Sequence, residues 1–254
     1  MFNRSLTVRA SVMLFVAIAT AGAALLGLLA QQQIRHSQAL SDRLLADVQL
    51  TVTSGERVVV LGANGAGKST LLKVANGVVV PDHGRVDAPP RTAQAHVFQR
   101  PAVLARSVFA NVQFVLAAHG VDEPERSTRA KHALLACDLA SLRDRPARTL
   151  SGGEQQRLAL AGAWACEPAL LFADEPTANL APVSARAIEQ LLLRLHGNGT
   201  TLVMTTHNVA QARRMATRIV FVDGGRVVED RSADEFFDRP ESAAARAYLE
   251  GETL

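Results

Sequence analysis

Nine residues, Gly62-Ala63-Asn64-Gly65-Ala66-Gly67-Lys68-Ser69-Thr70, have the types and spacing that hold a chain of phosphates. The glycines let backbone N–H groups converge on an anion, and a helix starting at the end of the loop adds its positive dipole. Lys68 would reach β- and γ-phosphates, and the Ser69 hydroxyl would hold Mg²⁺. The chain has three lysines among its 27 basic residues, and one stands where this chemistry requires it. Further on, the apolar run Ala169–Ala173 ends in Asp174-Glu175. Asp174 would hold the metal directly or through water. Glu175 could polarise an attacking water as a general base. Gln99, after the short run Ala95–Phe98, could touch both metal and water. His207, after Thr200–Thr205, could contact the γ-phosphate and steady the transition state. An Asp-Glu pair closing a strand is ordinary by itself, and a lone histidine is usually structural. Such groups at strand ends on the side of one phosphate loop are not ordinary, because parallel sheets bind ligands at their C-terminal edges.

The elements that must position these residues can be read around them. Arg57–Leu61 reads as a buried parallel strand feeding the loop, and Leu71–Gly77 as a short helix stopped at Gly77. Val48–Val52 alternates like a strand. Between Pro101 and about Ala165 the pattern is helical, with Val108, Val112, Val115 and Leu116 on one face and a second stretch at His132–Leu142. Ser151 with Glu154 three residues on has the form of a capping box. Gly152 and Gly153 behind that cap leave the first-turn N–H groups uncovered, an end suited to a phosphate from another surface. Ile219–Val222 turns through Asp223-Gly224-Gly225 into Arg226–Val228, a hairpin signal, and an amphipathic helical tail follows.

Residues 1–40 form an atypical extension. Val12–Ala30 is uncharged, with Arg4 and Arg9 before it and Arg35 after it, and as a helix it would be about 28 Å long. A signal peptide, a membrane anchor and a foreign segment replacing a first strand all fit this pattern. The expectation is a membrane-type helix at 12–30, followed by a phosphate-binding domain over 41–254.

Composition bounds the rest. With 48% apolar and 20% charged residues in 254, the chain is a folded one. A net charge of +3 and 4% aromatics argue against a stacking platform for nucleic acid, and no nucleic-acid partner is expected. Cys137 and Cys166 have no metal spacing and read as core thiols.

Together these segments resemble the ATP-binding-cassette (ABC) family, specifically the ATPase subunit of a transporter. Gly62–Thr70 is similar to its Walker A, Gln99 to its Q-loop, Leu150–Gln155 to its signature, Leu170–Glu175 to its Walker B and His207 to its switch histidine. The resemblance runs from about residue 45 to the C-terminus. It implies an α/β fold, a P-loop NTPase core with an antiparallel β subdomain and a helical subdomain inserted at about 101–165. It implies ATP and Mg²⁺, with Ser69, Gln99 and Asp174 toward the metal. It also implies a head-to-tail homodimer, each nucleotide lying between one copy's Gly62–Thr70 and the other's Ser151, Gly152, Gly153, Glu154 and Gln155. Closure would drive transmembrane permease subunits at the cytoplasmic face of the inner membrane, served indirectly by a periplasmic solute-binding protein.

Val97–Pro101, Arg106–Val108, Asn111-Val112, Arg145–Arg148 and Thr205–Arg214 resemble importers of oxyanions, tungstate most closely. An importer of another small solute is the alternative; a further one is a regulatory module that binds ATP with weak turnover. Cassette ATPases acting on DNA or ribosomes fit less well, since one cassette and no heptad insertion are present. Two departures bear on activity. The family's adenine-stacking aromatic is missing from the neighbourhood of Ser37–Ser41, at a cost of about 1–3 kcal/mol if base stacking is a guide. Ala181 stands where the family carries an Asp that links the two sites.

Overall fold

The computed structural model describes residues 45–251. The apolar run 12–30 and the neighbourhood of Ser37–Ser41 lie outside them. Among the described residues, no helix is long and apolar enough to cross a membrane.

Among the described residues, six strands form one sheet: β1 (Arg57–Leu61), β2 (Gln94–Val97), β3 (Leu170–Asp174), β4 (Thr201–Thr206), β5 (Arg218–Asp223) and β6 (Arg226–Ser232). Their order is β2-β3-β4-β1-β5-β6, parallel except for β6, which returns antiparallel along β5. Strands β1, β3, β4 and β5 carry apolar runs because both faces of the sheet are covered there, whereas β2 and β6 at the two edges are more polar. Val59, Leu61, Leu171, Ala173, Leu202 and Met204 point into the larger core, and Val58, Val60, Phe172 and Val203 into the smaller one. This is the two-residue period of a pleated strand, filled with hydrophobic side chains on both sides.

The smaller core is closed by α1 (Lys68–Ala75), which stops at Asn76 with Gly77 left-handed at φ 72°. The larger core is closed by α2 (Val108–Ala118), α3 (Glu125–Ala136), α4 (Gly152–Cys166), α5 (Pro182–Gly197), α6 (Val209–Met215), α7 (Ala233–Asp238) and α8 (Ala243–Gly251). Helices α2, α3 and α4 pack on one another, and α4 also reaches the sheet at β2. On α2, Val108, Val112 and Leu116 are the buried face, while Val115 fills the space over Gly162. The second helical stretch is Glu125–Ala136, earlier than the His132–Leu142 expected, with only a single tight turn at Ala140–Leu142.

Two expectations are corrected. Val48–Val52 is not a strand of the sheet. Its alternation is real, since Val48, Leu50 and Val52 lie against the smaller core, but the period reports a half-buried segment and not a backbone ladder. The antiparallel β subdomain shrinks accordingly. Among the described residues, the antiparallel pairing is the β5–β6 hairpin, turning through Gly224 and Gly225, both at positive φ, and it extends the parallel sheet. Burial raises the thiol pKa of Cys137 to about 12 and of Cys166 to about 11, so both remain protonated core groups.

Candidate nucleotide site

Strand order brings the candidate residues together. Strands β2, β3, β4 and β1 are neighbours, and their C-terminal ends lead into Gln99, Glu175, His207 and the Gly62 loop. The register places Asp174 opposite Thr205 and Leu61 opposite Thr206, so the ends are level. A cleft of about 730 Å³ opens there, lined among others by Lys68, Ser69, Gln99, Glu175, Thr177 and His207. Asn64, Gly65, Gly67 and Thr70 also face it. Gly62 lies deeper, and a Cβ there would fall 2.2 Å from the Val222 carbonyl oxygen, so only glycine fits.

Lys68, 5% exposed, donates from Nζ to the Gly62 and Ala63 carbonyls at 2.8 and 2.9 Å. Glu175 Oε1 lies 3.7 Å from the same ammonium. Burial lowers the Lys68 pKa from its ordinary 10.5, opposed by the charges of Glu175 and Asp174. Ser69 Oγ donates to Asp174 Oδ1 at 2.8 Å, and Thr205 Oγ1 donates to the same oxygen at 2.7 Å. Glu175 follows at φ 41°, in the left-handed region that non-glycine residues rarely occupy. Its N–H donates to Thr205 Oγ1 at 2.9 Å, which holds this conformation, and its Oε2 lies 3.3 Å from His207 Nδ1.

The donor set suits magnesium. Ser69 and Asp174 supply adjacent oxygens, and among the described residues no group of three or more His, Cys, Asp or Glu could form a metal cage. Mg²⁺ is commonly held in this way, by one or two protein oxygens with phosphates and water completing the shell.

The residues from Ser151 to Gln155 do not line the cleft. They open α4, where the capping box is complete: Ser151 Oγ accepts from Glu154 N, and Glu154 Oε2 accepts from Ser151 N at 2.7 Å. Ser151 and Gly152 are exposed. This helix start is therefore open to solvent and no part of the cleft wall in this chain.

Two residues were not singled out in the sequence. Thr205 is fully buried and joins Asp174 to Glu175. Gln211, 2% exposed, donates from Nε2 to Thr177 Oγ1 and Glu189 Oε1, and its Oε1 accepts from Thr206 Oγ1. The one available signal was the pair Thr205-Thr206, polar residues closing an otherwise apolar strand.

A family model described as "ABC transporter" matches residues 45–178. The chain belongs to the ABC transporter family. It is an ATP-hydrolysing transporter subunit of that family. It is 40% identical to the cobalt import ATP-binding protein CbiO of Rhodobacter capsulatus, over 75% of this chain and 74% of that protein. It is 36% identical to the tungstate uptake system ATP-binding protein TupC of Peptoclostridium acidaminophilum, over 74% of this chain and 90% of that one. Among solved structures, a dimeric ATP-binding cassette in a post-hydrolysis state with ADP and Pi matches with a TM-score of 0.67 and 30% identity, covering 74% of this chain and 90% of that one. The family match includes Lys68, Gln99, Ser151, Asp174 and Glu175; His207 lies beyond it.

Proposed function

We propose that this ABC subunit binds Mg·ATP in the cleft at the ends of β1–β4 and hydrolyses it in a head-to-tail dimer, powering import of a small solute. The level placement of Lys68, Ser69, Asp174, Glu175 and His207 carries the reading. A phosphate arriving at the loop offers Lys68 a charged acceptor, stronger than the two carbonyls it now holds. Ser69 and Asp174 would hold magnesium, which when bound neutralises charge on the phosphates. Glu175 accepts the proton of the attacking water, and Gln99 orients that water and the metal. His207 donates to the γ-phosphate as charge builds there. The α4 start from Ser151 to Gln155 would complete the site of a second copy, a reading supported by its absence from the wall of this chain's own cleft and by the exposure of Ser151 and Gly152. The domain spans 41–254, with the helices at about 101–165 receiving permease subunits at the cytoplasmic face of the membrane.

Glu175→Gln is expected to abolish phosphate release, at least 100-fold by analogy with loss of other general bases, while ATP-dependent dimers accumulate. Phosphate release unchanged in that variant, or ATP that never brings two copies together, would reject the reading.

For the cargo, we propose an oxyanion such as tungstate. The segments around Gln99 and His207 support it, as does the likeness to a tungstate uptake ATPase. The likeness to a cobalt import ATPase at higher identity supports a second reading, a divalent cation. Uptake of tungstate against cobalt by cells with this gene deleted separates the two.

A further inference from the structure

We infer that Tyr248, on the C-terminal helix α8, is a positioning residue for hydrolysis: it fixes the backbone that aims His207. Its Oη donates to the His207 carbonyl oxygen at 2.6 Å, across 41 residues of sequence. On the other side of the same peptide unit, Asn208 N donates to Thr206 Oγ1 at 3.0 Å. The peptide after His207 is thus held at both its C=O and its N–H. The His207 side chain is 47% exposed, so packing does not set its direction; the backbone does, and the ring then meets Glu175 Oε2.

Helix α8 is itself firmly seated. Its start is held by Glu229, whose carboxylate accepts from Ser242 N, and by Ser242 Oγ, which accepts from Ala245 N at 3.0 Å. Ala245 is fully buried. The Tyr248 ring lies 5.3 Å from Phe221, which in turn packs 5.8 Å from Phe236. The aromatic cluster delivers the phenol to the histidine loop, and the hydroxyl makes the connection. The C-terminal helix therefore belongs to the hydrolytic machinery at one remove.

The inference rests on the assignment of His207 to the γ-phosphate, so both are tested together. The full chain is compared with Tyr248→Phe, which keeps the ring and removes the hydroxyl, and with His207→Ala, by steady-state phosphate release over a titration of Mg·ATP. Tyr248→Phe is expected to lower kcat by about 3- to 10-fold, the range of one lost hydrogen bond, with KM for ATP and melting temperature unchanged. His207→Ala is expected to lower kcat further. Parental kcat in Tyr248→Phe beside a large loss in His207→Ala overturns the inference and spares the site. A raised KM with a lowered melting temperature makes Tyr248 a packing residue and also overturns it. Full activity in His207→Ala rejects the site assignment, and the inference with it.

Discussion

Thr205 shows how much one hydroxyl does when buried. It gives its proton to Asp174 and takes one from the Glu175 N–H, so the two acidic residues share a single support. Thr205→Val keeps the shape and removes both bonds, leaving an N–H and a carboxylate oxygen short of partners. A loss of about 1–3 kcal/mol is expected in chemical denaturation, and a slower phosphate release with it. His96 on β2 makes a different residue-scale case. Both its ring nitrogens are buried without partners, and the ring stacks on Phe98 at 4.1 Å. Burial lowers its pKa from the ordinary 6.5, with Lys73 adding to the effect and Asp174 opposing it. The folded pKa lies below the unfolded one, so the neutral ring's contribution is complete above 6.5 and is lost as pH falls below that value toward the folded pKa. His96→Phe should therefore lose less stability than the parent between about pH 7 and pH 5, measured by denaturant midpoints.

Helix starts show what caps do at the scale of an element. Ser151 caps α4, Asn208 caps α6 and Ser232 caps α7, each accepting from an N–H three residues on. Helix α5 begins at Ala181 with the extended backbone of a cap, φ −60° and ψ 149°, and Pro182 at its first position, but with no side chain to accept. Ala181→Asp supplies that acceptor and a charge at the positive end of the helix. It should stabilise the chain by about 1 kcal/mol, read as a shifted thermal midpoint. The same residue restores the Asp the family carries there, so a changed coupling between sites would appear as altered cooperativity in ATP and not as altered stability.

For the whole molecule, the proposed dimer makes the cleft and the exposed start of α4 two halves of one site, shared between two copies. Gln211 links the strand end at Thr206 to Thr177 and to Glu189 of α5, and Glu189 in turn pairs with Arg214 at 2.7 Å. This network joins the cleft at Thr177 and Thr206 to the helix beginning at Pro182, where Ser184 lies against Gly153 of α4. Phosphate release per subunit should rise with protein concentration and level off as dimers fill. Gly153→Val, crowding Ser184 and the helix end, should remove that rise while leaving ATP binding to single subunits intact. A rate per subunit independent of concentration, in a protein that remains monomeric with ATP, would contradict the two-copy site.

The phosphate loop, the Asp174-Glu175 pair, the capping box at Ser151 and the Gly224-Gly225 turn were all legible in the chain. The loop, the cap and the turn depend on interactions within a few residues, where spacing and residue type decide the geometry, whereas the acidic pair showed only its place at a strand end. Alternation misled at Val48–Val52 for a related reason: a period of two states which side chains are covered and not which backbone pairs with which. Tertiary structure alone chose the order β2-β3-β4-β1, which makes four separate strand ends one site. It alone put Thr205 between two acids, Gln211 among three segments and Tyr248 against His207. Apolar strands of similar length can pair in many orders, and the choice among them is made by packing both faces of the sheet at once.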